Sequence, residues 1–302
     1  MADVPRLIDM HSHWGTERGW KGNPAGAGKA LSAFKKYWNW NGQFMTEQEM
    51  AGYFRRNNVS AVLSLAFTDG MAMDEVHAQH DYAFATQKAY PDDILGLWVK
   101  VDPFKPESMA EFRRCIDQRS GFMGMVIPRS PSASDPVWEP FYKVCIDANI
   151  PILVLCGMSA IGAGVRGGLG ILLEDTHPRH LDYVAAHYPD LNIVAARPAW
   201  PWQNETNAVV LHKGNVWYEL HGWSPKYHPP ELKYEIARRL QDRVMFAADY
   251  PMLTYERLVK DWRAEGYTEE VLDKVFHRNA ERFLETLGVK VPPHNPADTN
   301  RT

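Results

Sequence analysis

Hydrophobic and polar positions divide this chain into two kinds of segment, short apolar runs and longer amphipathic stretches. We predict a strand wherever a short, nearly continuous apolar run occurs. The predicted strands are residues 6–10, 59–66, 95–101, 122–127, 151–156, 192–196, 215–220 and 243–248. Because most of these runs do not alternate between apolar and polar residues, they are typical of a parallel sheet that is covered on both faces.

Helical patterns separate the predicted strands. The residues Thr46-Glu47-Gln48-Glu49 form a capping box, which predicts a helix over 46–57. The other predicted helices are 74–90, 106–119, 136–148, 178–188, 204–212, 230–240, 254–264 and 268–287. About eight β/α units are what a (β/α)8 barrel requires, so we predict an α/β fold of the TIM-barrel type. A doubly wound open sheet is the alternative fold.

The domain organisation follows from the same pattern. We expect residues 1–290 to form a single barrel domain and residues 291–302 to form a C-terminal tail. Segments 14–45 and 157–176 are long for connections within a compact domain, so we predict that they are lids or binding loops. The glycine-rich segment 157–176 matches no phosphate-binding pattern. A simple surface excursion is the alternative for it.

Composition and charge exclude several classes of protein. The chain is 45% hydrophobic and 23% charged, and its net charge is −4 with acidic and basic residues mixed. This balance indicates neither a nucleic-acid partner nor an anionic membrane. We find no apolar run that could span a bilayer and no signal-peptide pattern at the N-terminus. Three cysteines make no disulfide framework, so we expect a cytoplasmic protein.

Candidate chemistry begins directly after the first predicted strand, with His11 and His13. Side chains two residues apart on a strand face the same side, and two imidazoles form half of a metal site. In a closed barrel the eighth strand lies beside the first, which brings Asp249 to the same C-terminal face. We therefore predict His11, His13 and Asp249 as metal ligands. The alternatives are a polar strand end for the histidines and a turn or helix cap for Asp249.

Longer segments carry a resemblance to a known family. The segments are IDMHSHWG (8–15), HPRHLDYVAAHYPDLNIVAARPAWPW (177–202), GNVWYELHGWSPKY (214–227), DRVMFAADYP (242–251) and HRNAERFL (277–284). With them the chain resembles the amidohydrolase superfamily, in the branch of aminocarboxymuconate-semialdehyde decarboxylase-like and lactone-hydrolase-like proteins. The resemblance covers nearly the whole chain. It implies a distorted barrel, commonly dimeric, with one divalent metal, zinc or manganese.

The implied metal site is incomplete in this sequence. His11, His13 and Asp249 match the family's H-x-H on strand one and Asp on strand eight. Leu155 stands where relatives carry a strand-five histidine, and Arg197 stands where they carry a strand-six histidine. Leucine cannot bind a metal, and a nearby guanidinium opposes a dication by about a few kcal/mol. A metal-free site is therefore a serious alternative.

We predict catalytic roles for Asp249, His221 and Arg197. Asp249, assisted by the N-terminal histidines or a metal, would activate water. His221 ends the seventh strand and is a candidate ligand or general base, or else a histidine that is only hydrogen-bonded in the barrel rim. Arg197 is a candidate for holding a substrate carboxylate or a developing negative charge. The alternative for Arg197 is an ion pair with Asp249 or Glu219.

Aromatic residues are expected around the mouth of this site. Trp14, Trp20, Trp200 and Trp223 are predicted substrate contacts, which would suit a flat aromatic substrate, with simple packing as the alternative. His177 is a further predicted substrate contact, and a role at the start of its helix is equally consistent with the sequence.

Other candidate donors are expected to play no part in the site. His77 and His80 lie at helical spacing and are expected on the surface. Cys156 adjoins Leu155, but neighbouring strand residues face opposite sides, so we do not expect it to replace the missing ligand.

Three functions fit these residues. The first is a hydrolase acting on a small aromatic or unsaturated carboxylate, at a lactone or at an activated C–C bond next to a carbonyl. Segment 222–227 resembles hydrolases of aryl β-ketoacyl thioesters, which favours aromatic catabolism. The second is a non-oxidative decarboxylase, and the third is a metal-free binding protein on the same barrel. We expect a small-molecule substrate and a homodimer.

Overall fold

The computed structural model describes residues 4–20, 43–65 and 70–292, together with Lys35. Eight parallel strands follow one another around the sheet in sequence order. Their bounds are β1 Leu7–His13, β2 Val59–Ser64, β3 Ile94–Val99, β4 Phe122–Ile127, β5 Ile152–Leu155, β6 Ile193–Ala196, β7 Val216–Glu219 and β8 Val244–Met245. Each predicted strand overlaps an observed one.

Backbone hydrogen bonds join the last strand region to the first. Met10 N–H donates to the carbonyl of Phe246 at 3.0 Å, and His13 N–H donates to the carbonyl of Tyr250 at 2.7 Å. In the other direction, Asp249 N–H donates to the carbonyl of His11 at 3.0 Å. These bonds complete the barrel, so the TIM-barrel prediction is confirmed and the open-sheet alternative is excluded.

Helices alternate with the strands and cover the outside of the barrel. Their bounds are α1 Glu17–Trp20, α2 Glu47–Arg56, α3 Met73–Ala89, α4 Ser108–Gln118, α5 Glu139–Asp147, α6 Pro178–His187, α7 Gln203–His212, α8 Pro230–Ile236, α9 Tyr255–Ala264, α10 Glu269–Asp273 and α11 Asn279–Thr286. The predicted capping box is present, since Thr46 and Glu49 exchange hydrogen bonds at the start of α2. A π-turn, Lys274–Arg278, joins α10 to α11 within the predicted 268–287 helix.

Apolar side chains fill both faces of the sheet. One cluster, which includes Ile8, Val62, Leu153 and Val194, packs inside the barrel. A larger cluster packs between the strands and the surrounding helices. Because both faces are buried, the strands read as nearly continuous apolar runs in the sequence.

The first strand contains a β-bulge just before the predicted ligands. On β2, Ala61 and Leu63 are two residues apart, whereas their partners on β1, Asp9 and Ser12, are three apart. The buried carboxylate of Asp9 accepts hydrogen bonds from the hydroxyls of Ser12 and Tyr255 at 2.5 and 2.8 Å. It also accepts backbone N–H bonds from residues 11 and 248. These four donors hold the bulge and tie β1 to β8.

The bulge determines where the two histidines point. Ile8 and Met10 belong to the cluster inside the barrel, so strict alternation would turn His11 and His13 outward. The extra residue switches the alternation, and His11 and His13 line a cavity at the barrel mouth instead.

Two predictions on the helical layer have different outcomes. His80 was expected on the surface but is buried. Its Nδ1 lies 2.6 Å from the buried carboxylate of Glu111, which satisfies this ring nitrogen away from water. His77 is partly exposed and reaches the same carboxylate at 3.1 Å. Cys115, Cys145 and Cys156 are free thiols, all buried.

Several predicted segments are only partly described. Residues 21–42 of the predicted loop 14–45, except Lys35, and residues 293–302 of the predicted tail lie outside the described residues. The loop 157–176 is described and contains short 3-10 turns at Arg166–Gly170 and Leu173–Thr176. Its role as a lid stays a prediction. Within the described ranges, the helices are too short or too polar to cross a membrane.

Candidate functional site

A cavity opens at the C-terminal ends of the barrel strands, where this fold places its active sites. The space between its wall atoms is about 760 Å³ when the open solvent at the mouth is included. Its polar wall residues come from or follow six of the strands. They are His11, His13, Ser64, Lys100, Arg129, Arg197 and Asp249.

His13 and Asp249 face one another across this cavity. His13 Nδ1 lies 3.0 Å from the carbonyl oxygen of Ser64, and since a carbonyl only accepts, Nδ1 carries the hydrogen. The other ring nitrogen, Nε2, lies 3.2 Å from Asp249 Oδ1. Burial raises the pKa of Asp249, but the hydrogen bond with His13 and the charges of His221, His13 and Arg197 outweigh it and bring the pKa to about 2. Asp249 is therefore an anion at neutral pH.

The structure brings the three predicted metal ligands together. His11, His13 and Asp249 each offer a ligand atom within 4.8 Å of the others, and we term this set the cavity triad. The ring of His11 is at a right angle to that of His13, with centroids 5.2 Å apart. Burial, followed by the nearby His221, His13 and Arg197, lowers the pKa of His11 well below its ordinary value. His11 is thus the neutral imidazole that a metal ion binds.

Arg197 and Asp249 reach the cavity through unusual backbone conformations. Their φ angles are 75° and 60°, in the left-handed region that residues other than glycine rarely adopt. Both side chains close over Gly222, where an added Cβ would lie 3.1 Å from Asp249 Oδ2 and 3.6 Å from Arg197 Nη1. Gly222 itself has φ 81°, so glycine is required there for space and for conformation.

The guanidinium of Arg197 is enclosed by the barrel rim. Its Nε is buried and has no hydrogen-bond partner among the described residues. Burial lowers the pKa of Arg197, while the carboxylates of Asp249 and Glu219 oppose this shift. An arginine that is enclosed in this way has donors to offer an anionic ligand.

His221 lies behind the cavity wall, not in it. It is fully buried, and its ring stacks on that of His11 with centroids 3.9 Å apart and 10° between the planes. His221 Nδ1 lies 2.5 Å from Glu219 Oε1, and its backbone N–H donates to Glu219 Oε2 at 2.8 Å. Glu219 Oε1 is also 3.8 Å from His11 Nδ1. His11, Glu219 and His221 form a second group with ligand atoms within 4.8 Å, which we term the inner triad.

The strand-five position places an apolar side chain at the cavity. Leu155 lines the wall, whereas Cys156 is buried in the outer cluster, as the alternation of strand residues predicted. Burial raises the pKa of the Cys156 thiol to about 12. Cys156 is therefore neither oriented nor ionised for metal binding.

Among the predicted aromatic contacts, the structure places one in the cavity. Trp20 lines the wall, and its ring meets that of His13 edge-on at 5.8 Å. Trp14 is fully buried in the outer cluster against Tyr82, because it follows His13 directly and so points away from the cavity. Trp200 is 44% exposed, Trp223 is partly exposed, and neither belongs to the cavity wall.

His177 also lies away from the cavity wall. It caps α6, since its Nδ1 accepts a hydrogen bond from the backbone N–H of Arg179 at 3.2 Å. Its Nε2 lies 3.3 Å from Glu205, and its ring packs on Trp202 at 4.7 Å. This geometry matches the alternative interpretation of His177, a role at the start of its helix.

Three polar residues at the site were not predicted as site residues. Lys100 directly follows β3 and Arg129 comes two residues after β4, so the rule that located Asp249 would also have found them. Glu219 ends the apolar strand β7, where a buried carboxylate is itself an unusual sequence signal.

Comparisons with known proteins agree with the barrel fold. The amidohydrolase family model matches residues 8–286. No match was found among curated proteins. Among solved structures, an uncharacterized TIM-barrel protein from Bordetella bronchiseptica is 19% identical, with a TM-score of 0.70 over 94% of this chain and 100% of that chain.

Two further solved structures carry names of activities. A 5-carboxyvanillate decarboxylase from Novosphingobium aromaticivorans, complexed with manganese, is 17% identical, with a TM-score of 0.67 over 94% of this chain and 97% of that chain. A probable 2-pyrone-4,6-dicarboxylic acid hydrolase from Acinetobacter baumannii is 14% identical, with a TM-score of 0.60 over 93% and 100%. At these identities the likeness supports the fold, and the family model covers nearly all of the barrel. This chain belongs to the amidohydrolase family.

Proposed function

We propose that the protein is a hydrolase acting on a small aromatic or unsaturated substrate that carries a carboxylate. The observation that carries this proposal is the convergence of Lys100, Arg129 and Arg197 on the cavity that holds the cavity triad. Among the wall residues that the structure describes, Asp249 is the carboxylate that accompanies these three cations. A cavity with this charge balance attracts and orients an anion.

The cavity triad fits a divalent metal by the chemistry of its donors. Two imidazoles and one carboxylate within 4.8 Å suit zinc or manganese and leave positions open for substrate. A bound metal would supply Lewis-acid polarisation of a substrate carbonyl or of water. The positive charge of Arg197 weakens such a site, so metal-free operation is the competing form of this proposal.

The side chains divide the remaining work. Asp249 stays ionised, so it orients His13 and stabilises positive charge on that ring. In the metal-free form, His13, fixed by its bond to the Ser64 carbonyl, is the group placed to move a proton at Nε2, whereas with a metal bound this nitrogen would be a ligand. Arg197 would hold the substrate carboxylate or the oxyanion that develops during hydrolysis. Trp20 would close one side of the cavity against an apolar part of the substrate.

Decarboxylation is the second candidate, because a similar structure is a decarboxylase and the two reactions share the same cation-lined cavity. A test panel should contain 2-pyrone-4,6-dicarboxylate and 5-carboxyvanillate. We expect ring opening of a lactone without release of carbon dioxide. Carbon dioxide release would favour the decarboxylase, and binding without turnover would favour a binding protein.

The assembly and the cellular location belong to the same proposal. A homodimer in the cytoplasm acting on a soluble small molecule is the expected setting. Sedimentation analysis would check the dimer, and a mass of one chain would contradict it.

A further inference from the structure

A second pocket opens beside the cavity, at the glycine-rich loop 157–176, and we term it the side pocket. The space between its wall atoms is about 580 Å³ when the open solvent at its mouth is included. Arg129 and Ile161 line both the cavity and the side pocket. The two spaces therefore adjoin along these two residues.

The wall of the side pocket is mainly apolar. Among its described residues, Arg129 is the charged one. The hydroxyl of Ser159 donates to the carbonyl of residue 161 at 3.4 Å, and the hydroxyl of Thr176 donates to that of residue 157 at 3.0 Å, so the loop itself uses both hydroxyls. A concave, apolar wall with few polar groups is typical of a small-molecule site. The large apolar side chains in this wall are Met158, Ile161, Ile171 and Leu173.

The loop that forms the side pocket is held in shape by its own backbone. The N–H of Gly157 donates to the carbonyl of Thr176 at 2.9 Å, which ties the two ends of the loop together. Gly162 has φ 85°, and an added Cβ there would overlap the carbonyl oxygen of Gly168, so glycine is required where the loop crosses itself. Backbone contacts therefore fix the wall before any ligand binds.

Leu173 is a wall residue that a ligand would cover. Its side chain is 45% exposed, although it is apolar and lines the side pocket. The neighbouring Leu172 is 65% exposed and does not belong to the wall. An apolar group in the side pocket would remove Leu173 from water but not Leu172, and removing apolar surface from water is favourable.

From these observations we propose that the side pocket binds an apolar tail of the substrate. This inference rests on the proposed function, in which the cations of the cavity hold the substrate carboxylate. The substrate class is then an elongated amphiphile. Its carboxylate and reacting group lie in the cavity, and an alkyl or aryl tail of several carbon atoms passes Arg129 and Ile161 into the side pocket. A compact dicarboxylate would leave the side pocket unused.

Binding of unreactive carboxylates to the intact chain tests the tail site without any turnover. The probes are benzoate and its ethyl and butyl derivatives, in two series that carry the chain at position 3 or at position 4 of the ring. Their affinities are measured by isothermal titration calorimetry. Each methylene group that leaves water should tighten binding about threefold. In the better of the two series, the butyl derivative should therefore bind at least about 30-fold more tightly than benzoate.

The two neighbouring leucines provide a matched pair of variants. Leu173→Asn makes the wall polar and should lower the ratio of butyl to benzoate affinity at least about fivefold, whereas Leu172→Asn should leave this ratio within about twofold of the wild type. Ala163→Phe fills the side pocket and should abolish the butyl preference while benzoate still binds. Circular dichroism checks the folding of all three variants. Because both leucines are exposed, their pair decides the question if Ala163→Phe fails to fold.

Two results would overturn the tail site alone. One is equal affinity for benzoate and its butyl derivatives in the wild type. The other is a butyl preference that Leu173→Asn leaves as large as Leu172→Asn does. In both cases benzoate itself still binds, so the proposed hydrolysis stands and is tested by product analysis. If no member of either series binds, the cations do not hold a carboxylate, and the proposed function is contradicted together with the tail site.

Discussion

Two clusters in this protein bring histidines against a buried glutamate, and they differ in whether an arginine also holds the carboxylate. Between α3 and α4, Glu111 accepts hydrogen bonds from His80 at 2.6 Å and from Arg114 at 2.7 and 2.8 Å, and His77 lies 3.1 Å away. At the barrel mouth, Glu219 is in hydrogen-bond contact with the ring and the backbone N–H of His221, and the nearby Nδ1 of His11 has no hydrogen-bond partner among the described residues.

This difference separates a stabilising network from a site. In the helical cluster, the arginine supplies the charge and the donors that a buried carboxylate needs, although His80 Nε2 has no hydrogen-bond partner among the described residues. At the barrel mouth, nitrogen atoms and a guanidinium remain available beside an open cavity. A buried carboxylate that an arginine holds explains stability, whereas unpartnered donors beside an open cavity indicate function. The following predictions test that distinction.

The largest expected effect is on turnover. Asp249→Asn removes the carboxylate that orients His13, so we expect the turnover number to fall by about 100-fold or more. Glu111→Gln, the matched substitution in the helical cluster, should leave turnover within about twofold of the wild type. Steady-state kinetics on both variants check this, and equal losses would remove the distinction between the clusters.

The free energy of unfolding should respond in the opposite way, with the larger loss in Glu111→Gln. Burial raises the pKa of Glu111, but hydrogen bonds and charges from His80 and Arg114 outweigh it and lower the pKa from 4.5 to about 2. A lowered carboxylate pKa contributes stability above pH 4.5, and this contribution is lost as the pH falls toward 2. The shift corresponds to about 3 kcal/mol, which Glu111→Gln should remove at pH 7.

Urea unfolding of the wild type and of Glu111→Gln between pH 7 and pH 2 measures this effect. The difference in the free energy of unfolding should be largest at pH 5 to 7 and should shrink below pH 4.5. A difference that stays constant down to pH 2 would show that packing, not charge, is what the substitution removes.

A smaller effect is expected on substrate binding. Arg197→Lys keeps the charge but loses the planar, two-pronged geometry that holds a carboxylate, so we expect KM to rise by about 30-fold, or about 2 kcal/mol. The exposed Arg179 provides the matched control, and Arg179→Lys should leave KM unchanged. If Arg197→Lys has no effect on KM, the carboxylate is held elsewhere.

The smallest effects are expected at Trp20 and Trp14, which the sequence analysis predicted alike as substrate contacts. Trp20→Phe changes a cavity wall and should raise KM by about threefold without changing stability. Trp14→Phe changes the core and should lower the free energy of unfolding by about 1 kcal/mol without changing KM. The reverse pattern would place Trp14 at the substrate.

The sequence predicted the barrel because one pattern, an apolar strand followed by an amphipathic helix, is repeated about eight times along the chain. Each strand is an apolar run buried on both faces, and each helix begins and ends with local signals such as the capping box at Thr46. It also predicted the meeting of His11, His13 and Asp249, because barrel closure alone brings β1 and β8 together.

What the sequence could not predict depends on local backbone geometry. The bulge held by Asp9 turns His11 and His13 into the cavity and leaves Trp14 in the core. The positive φ angle at Arg197 directs its side chain toward Asp249 and across Gly222. Neither conformation has a reliable sequence signal, because the residues involved are not glycines.

One measurement tests the proposed activity most directly. The enzyme is incubated with a lactone that carries a carboxylate in water labelled with ¹⁸O, and the product and headspace gas are analysed by mass spectrometry. We predict one labelled oxygen in the newly formed carboxylate and no carbon dioxide above the level of the Asp249→Asn variant. Unlabelled product accompanied by one carbon dioxide per turnover would contradict hydrolysis.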